Sequence, residues 1–136
     1  MNELVNKSEI LFDIASHLNN TSRYVAVPHC AYYSCYQLMK HIWLTKMNRT
    51  ENDLERNCSL NRMGSHEYLI NQVADFIKNS KNKNARDDFR QINENIVPLK
   101  KYRIKADYST QAIFAEDGQK SYRLSQKIIQ ILKKYQ

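Results

Sequence analysis

The sequence predicts an all-α protein, an up-and-down bundle of four to five helices. Apolar residues recur at steps of three and four along several segments, and the 136 residues include two Gly and two Pro. An all-β domain of this length needs many turns, and turns are rich in those two residue types. A chain of this length is the usual size of one domain with its own core, so residues 1–136 are expected to form a single helical domain.

The most apolar and aromatic run of the chain, residues 28–45, predicts the central helix of the bundle. Its one Pro stands at the front, where the first turn of a helix accepts it. Aromatic and apolar side chains fall on one wide face, which indicates a helix with neighbours on more than one side. The residues assigned to packing in the core or across a dimer contact are Tyr32, Tyr33, Tyr36, Met39 and Trp43.

Four other segments show the helical period. The intervening residues 46–65 have little apolar periodicity, and they are predicted to form an ordered loop or a short helix that Leu54 and Leu60 attach to the core. Pro98 lies within one of the four periodic segments and should kink or split that helix near Asn95. The periodic segments cover residues 2–18, 66–79, 85–106 and 115–135.

The chain has a formal net charge of +7, from 21 Lys and Arg against 14 Asp and Glu. This excess fits an anionic partner such as a nucleic acid, a nucleotide or an acidic protein, and it equally fits a solvated, lysine-rich surface. The cations cluster late and are interleaved with tyrosines, as on surfaces that bind polynucleotides. They are Lys100, Lys101, Arg103 and Lys105, followed by Lys120, Arg123, Lys127, Lys133 and Lys134.

Several classes of protein lack support in the sequence. The three Cys form no CxxC pair, and there is no HExxH segment, so neither a disulfide framework nor a metal site is expected. Two Gly cannot make a glycine-rich phosphate loop, and there is no GxSxG motif of hydrolases. The N-terminus shows no apolar signal region, and no run is long enough to span a membrane. We therefore expect a cytoplasmic protein without cofactor, metal or membrane association.

Five residues are candidates for binding a ligand. Arg103 and Asp107 are four positions apart, so they can pair on a helix and present the guanidinium to a phosphate beside the Tyr108 hydroxyl. The other interpretation is an ordinary ion pair at a helix end that fixes the following turn. His29 and His66 open two predicted helices, where free backbone N–H groups attract anions.

Two stretches together resemble the HEPN domain family. Residues 28–36, PHCAYYSCY, look like the SRAYYAxF helix of these domains, and residues 103–108, RIKADY, look like their RxxADY segment. Ser65 and His66 match the SH or TH that starts the family's next helix. The order and spacing of the motifs agree, and the resemblance covers nearly the whole chain. It implies a bundle of four or five helices, commonly a homodimer, in a prokaryotic protein.

The same resemblance implies a setting and an activity. HEPN proteins are often encoded beside a minimal nucleotidyltransferase in toxin–antitoxin or defence systems, and many are metal-independent RNases with an Arg, a short spacer and a His. Here Arg103 matches the Arg, but Tyr108 stands at the His position, and His29 replaces the Arg of SRAYY. A tyrosine, with a pKa near 10, is a poor general base at neutral pH.

The departures favour binding over catalysis. The sequence therefore predicts a HEPN-like module that binds a nucleotide or RNA and partners a nucleotidyltransferase. In that module Arg103 would contact phosphate, Asp107 would orient the guanidinium, and Tyr108 would add a hydrogen bond or a stacking surface. Two alternatives stay open: a metal-independent endoribonuclease in which His66 or His29 supplies the base, and a purely structural partner subunit.

Overall fold

The computed structural model describes residues 3–136, and within them the chain is helical with no strand. The predicted all-α class is confirmed, but the described residues form six α-helices where four to five were expected. A short 3₁₀ turn, Tyr24–Ala26, precedes the second helix. The helices are α1 Glu3–Asn20, α2 Val27–Thr45, α3 Glu51–Leu60, α4 Ser65–Lys78, α5 Ala85–Tyr108 and α6 Ala115–Leu132.

The helix α2 lies at the centre of the bundle and packs against α1, α4, α5 and α6. The structure therefore confirms that this helix has neighbours on more than one side. Tyr32, Met39 and Trp43 are buried in the core, whereas Tyr33 and Tyr36 are half-buried. Within residues 3–136, no helix combines the length and the apolar character needed to cross a membrane.

The additional helix, α3, lies in the segment for which a loop or a short helix was expected. The Thr50 hydroxyl accepts a hydrogen bond from the Asp53 N–H (3.0 Å), and the Asp53 carboxylate accepts one from the Thr50 N–H (2.9 Å). This reciprocal cap satisfies amides that the first turn would otherwise leave free, and it starts the helix without apolar periodicity. Leu54 is buried and attaches α3 to the core, but Leu60 is exposed and does not.

The helix α5 is continuous through Pro98, so the expected split near Asn95 does not occur. Proline removes one N–H and leaves the carbonyl four residues earlier without its helical partner. That carbonyl belongs to Glu94, which is exposed, so water can bond to it. Ile96 and Leu99 are buried on the opposite side of the helix, so residues on both sides of Pro98 in the sequence pack into the core.

Gly118 lies near the start of α6 and is buried. A Cβ atom at this position would lie 3.0 Å from Cδ1 of Tyr24 and 3.2 Å from Oδ1 of Asn19. The missing side chain therefore lets the 3₁₀ turn and the end of α1 approach α6 closely.

A buried carboxylate fastens the C-terminal residues to the start of α5. Asp88 is 3% exposed, and it accepts hydrogen bonds from Lys134 Nζ (2.9 Å) and from the Tyr135 hydroxyl (2.6 Å). Burial and the neighbouring Asp88 carboxylate raise the pKa of Tyr135 to about 12, so this phenol stays protonated and donates at neutral pH. We call these three residues the C-terminal latch.

Candidate anion-binding cleft

A cleft of about 350 Å³ opens where α2, α4 and α5 meet. Among the described residues that line it are two cations and one carboxylate, so its net charge is positive. We call it the α4–α5 cleft. The side chains that line it include Tyr33, His66, Glu67, Lys100, Arg103 and Tyr108.

Arg103 lies at the inner side of this cleft, and its side chain is 9% exposed. The guanidinium carbon lies 4.8, 5.6 and 5.9 Å from the ring centroids of Tyr32, Tyr33 and Tyr108. Such contacts attract a cation to the faces of aromatic rings and partly offset the cost of burying it. Its Nε atom is buried and has no hydrogen-bond partner among the described residues. A buried donor without a partner is costly, which makes this atom the most unusual polar group of the cleft.

Asp107 connects Arg103 to His29. Because α5 extends to Tyr108, one turn beyond Arg103, Asp107 Oδ2 reaches to 3.7 Å from Arg103 Nη1. The same oxygen lies 2.8 Å from Nδ1 of His29, at the start of α2. An ionised carboxylate can only accept hydrogen bonds, so His29 donates to Asp107 through Nδ1. The Nε2 atom of His29 takes no part in this bond. His29 is half-exposed and lies beside the cleft, against the ring of Tyr33, rather than in its lining.

His66 forms the opposite wall of the cleft, in the first turn of α4. Its ring stacks on Tyr36 with centroids 4.3 Å apart, and its Nδ1 lies 3.0 Å from the hydroxyl of Tyr32. Burial lowers the pKa of His66, and the positive charges of Arg103 and Lys100 lower it further. Burial also raises the pKa of Tyr32, despite the opposing effect of Arg103, so the phenol stays neutral.

This hydrogen bond is compatible with two tautomers of His66. If the Tyr32 hydroxyl donates to Nδ1, then Nε2 carries the proton and can donate to an anion. If Nδ1 donates to the hydroxyl oxygen, then Nε2 keeps a lone pair and can act as a base. Either way, the lowered pKa makes the neutral imidazole the main form at neutral pH.

Backbone amides add to the donors of the cleft. The helix α4 begins after Gly64, which has no side chain to cap it, and Tyr68 N–H makes the first helical bond, to the Gly64 carbonyl at 2.9 Å. The N–H groups of Ser65, His66 and Glu67 precede that bond and have no helical acceptor. They lie at the positive end of the helix dipole, where anions are favoured.

The structure thus brings four of the five sequence-derived candidates close together: Arg103, Asp107, Tyr108 and His66. His29 joins them through Asp107. Sequence reasoning counted Lys100 only as part of a basic cluster and assigned Tyr33 to packing, yet both line the cleft. The spacing of Lys100 and Arg103, three positions apart on one helix, is the signal that could have paired them.

Within residues 3–136, no group of three or more His, Cys, Asp or Glu side chains is placed to hold a metal ion. Compared with models of known protein families, with curated proteins and with solved structures, the chain matches none. The fold and the cleft define a helical-bundle protein with a cationic, tyrosine-lined site.

Proposed function

We propose that this protein is a HEPN-like module that binds the phosphate group of a nucleotide or of RNA in the α4–α5 cleft. The observation that carries the proposal is the buried Nε of Arg103, which no described residue satisfies. The cleft holds this guanidinium beside Lys100 and the free amides of α4, so that several donors converge on one volume. A phosphate, with several acceptor oxygens, matches that set.

Each part of the site has a distinct task in this proposal. Arg103 offers its planar fork to the phosphate oxygens, and Asp107 on the same helix holds the guanidinium from one side. Lys100 adds a second positive charge, and His66 donates through Nε2 when its Nδ1 accepts from Tyr32. Tyr108 is exposed at the rim, where its ring can stack on a base and its hydroxyl can bond to the ligand.

The test compares wild-type protein with Arg103→Met, which keeps most of the side-chain volume but removes the charge. Binding of AMP is measured by calorimetry, and binding of a labelled 12-nucleotide single-stranded RNA is measured by fluorescence polarisation at low salt. We expect Arg103→Met to weaken binding of both probes about ten- to a hundredfold, the factor of a charge-assisted hydrogen bond.

The matched control is Arg90→Met, which changes the same residue type on the same helix. Arg90 is exposed and already paired with Asp87 and Glu94, so this variant should bind as the wild type does. Equal affinity of the two variants would contradict the proposal. If the wild type binds neither probe at low salt, a purely structural partner subunit becomes the better description.

A second candidate function is a metal-independent endoribonuclease, and one observation favours it. His66 is neutral by its lowered pKa and faces the same cleft as Arg103. In the tautomer with a free Nε2, His66 could take the proton of a 2′-hydroxyl as its oxygen attacks the phosphorus, while Arg103 stabilises the negatively charged oxygens of the pentacoordinate phosphate. The bond to the 5′-oxygen then breaks, and the 5′-oxygen takes the proton back from His66. RNA incubated with the wild type in EDTA would then be cleaved, and both Arg103→Met and His66→Gln would abolish cleavage.

The partners in this proposal rest on the resemblance to HEPN proteins. The protein would form a homodimer and associate with a minimal nucleotidyltransferase in a toxin–antitoxin or defence system. Light scattering at micromolar concentration tests the homodimer. The identity of the adjacent gene, followed by co-purification of its product, tests the association with a nucleotidyltransferase.

A further inference from the structure

An open groove of about 270 Å³ lies between α5 and α6, and we call it the α5–α6 groove. It lies on the other flank of α5 from the cleft: Lys100 lines the cleft and Tyr102 lines the groove. Lys100 and Tyr102 are two positions apart, and on a helix of 3.6 residues per turn such side chains point in nearly opposite directions. Its lining consists of Pro98, Tyr102, Lys120, Arg123, Leu124 and Lys127.

The cations of the groove are only partly neutralised. Lys120 pairs with Glu116 at 2.7 Å, one turn earlier on α6. Across residues 3–136, neither Arg123 nor Lys127 has a carboxylate within ion-pair distance. Both are exposed and lie one turn apart on the same face of α6. Two uncompensated charges at this spacing give the groove a local positive potential.

The remaining lining of the groove suits a flat aromatic ligand. The ring of Tyr102 is half-buried beside Leu124 and Pro98. A cationic groove with an aromatic side chain is the arrangement that binds single-stranded nucleic acid, since phosphates pair with the cations and a base stacks on the ring. An acidic peptide would use the cations and leave the tyrosine without a matching partner.

The exposed side of α5 separates the cleft from the groove. Val97, Ile104 and Tyr108 lie on this ridge as exposed apolar or aromatic side chains, and Lys101 lies among them as an exposed cation. A helix with its side chains is about 10–12 Å across, which three or four stacked nucleotides cover at about 3.4 Å each. One strand can therefore contact the cleft, the ridge and the groove.

We propose that the α5–α6 groove is a second polynucleotide site, which binds the phosphates of single-stranded RNA through Arg123 and Lys127 and stacks a base on Tyr102. The proposal rests on the proposed function in one respect: the same strand continues across α5 into the α4–α5 cleft. A ligand that contacts both the groove and the cleft must be a polynucleotide, because a mononucleotide is too short to cross α5.

The experiment measures the affinity of the labelled 12-nucleotide single-stranded RNA at several salt concentrations. In the double variant Arg123→Gln/Lys127→Gln, the loss of two phosphate contacts should make the negative slope of log affinity against log salt shallower by about 1.4, at about 0.7 per contact. Lys81→Gln/Arg86→Gln removes the same charge from two exposed positions, one just before α5 and one in its first turn, and should leave the slope near that of the wild type.

Stacking is tested separately at Tyr102. Replacement by Leu should weaken RNA binding about fivefold or more, because it removes the stacking surface. Tyr102→Phe keeps the ring and should bind as the wild type does. Equal losses of RNA affinity in Tyr102→Leu and Tyr102→Phe would overturn the stacking role. If the salt dependence of RNA binding were the same in the Arg123/Lys127 variant and in its control, the groove would not be an RNA site.

Binding of AMP separates the two proposals. Variants of the groove should leave AMP binding unchanged, because the mononucleotide occupies the cleft alone. The cleft proposal fails if AMP does not bind and Arg103→Met binds the RNA as the wild type does. In that case a shallower salt dependence of RNA binding in the Arg123/Lys127 variant still supports the groove. If AMP binds and the RNA binds no more tightly than AMP, the second site is refuted and the cleft stands.

Discussion

Two buried charged residues on the same helix differ in how completely their neighbours pair with them. Asp88, near the start of α5, is 3% exposed, and Arg103, near its end, is 8% exposed. Asp88 accepts hydrogen bonds from both Lys134 and Tyr135. Arg103 has one carboxylate at 3.7 Å, three tyrosine rings and an Nε without a partner among the described residues.

The contrast is between a charge that the chain itself compensates and one that, under the proposed function, a ligand would compensate. Burying a charge costs free energy unless hydrogen bonds and opposite charges offset the cost. The C-terminal latch supplies both to Asp88 from within the chain. Arg103 receives only part of this compensation, and it lies in an open cleft where a bound anion can supply the rest.

The largest effect is expected at the latch. Asp88→Ala removes the acceptor of the Tyr135 hydroxyl and the partner of Lys134, and it should lower the free energy of unfolding by about 3 kcal/mol. Urea denaturation measures this as a lower midpoint with an unchanged slope. Asp87→Ala is the control, because the adjacent Asp87 is exposed and its partners are on the surface. A similar midpoint for both variants would contradict the structural role of Asp88.

A smaller effect on stability is expected at the cleft. Arg103→Met replaces an incompletely paired buried charge with an apolar chain of similar length, and such replacements are often neutral or stabilising. The free energy of unfolding should change by less than about 1 kcal/mol, although this variant is expected to bind AMP and RNA more weakly. The same urea titration gives this value. A loss as large as that of Asp88→Ala would mean that Arg103 serves the fold after all.

The smallest effect concerns acid stability. Because the pKa of His66 is lowered in the folded protein, the unfolded chain binds a proton more readily, and stability falls as the pH drops through the unfolded value of about 6.5. His66→Gln should therefore reduce the difference in melting temperature between pH 7.5 and pH 5.5. His17→Gln, on the exposed side of α1, should leave that difference unchanged. An unchanged difference in His66→Gln would contradict the pKa assignment.

The order of helices was largely predictable because their buried faces repeat at the helical period. The exceptions had local causes that periodicity does not register. Thr50 and Asp53 start α3 through reciprocal hydrogen bonds, which depend on the spacing of Thr and Asp and not on an apolar stripe. Pro98 removes one helical hydrogen bond, yet α5 is continuous through it, and the neighbouring Ile96 and Leu99 are buried in the core.

The candidate site was predictable in its residue types and not in its geometry. Arg103 and Asp107 share a helix, so their spacing alone placed them together once α5 reached Tyr108. The contacts of His29 with Asp107, and of His66 with Tyr32, join residues 78 and 34 positions apart. Only the packing of α2 against α4 and α5 brings them together. The unpartnered Nε of Arg103 likewise depends on every neighbour in the folded chain.

The position of Trp43 has a consequence for optical measurements. This residue is the chain's single tryptophan; it is buried, and its indole N–H donates to the carbonyl of Thr50 at 2.9 Å. Its ring also packs edge-on against Tyr68 and lies 6.0 Å from the guanidinium carbon of Arg49. Its fluorescence therefore reports on the junction of α2 with α3 and α4. Unfolding can be followed by an intrinsic signal that arises outside the linings of both the cleft and the groove.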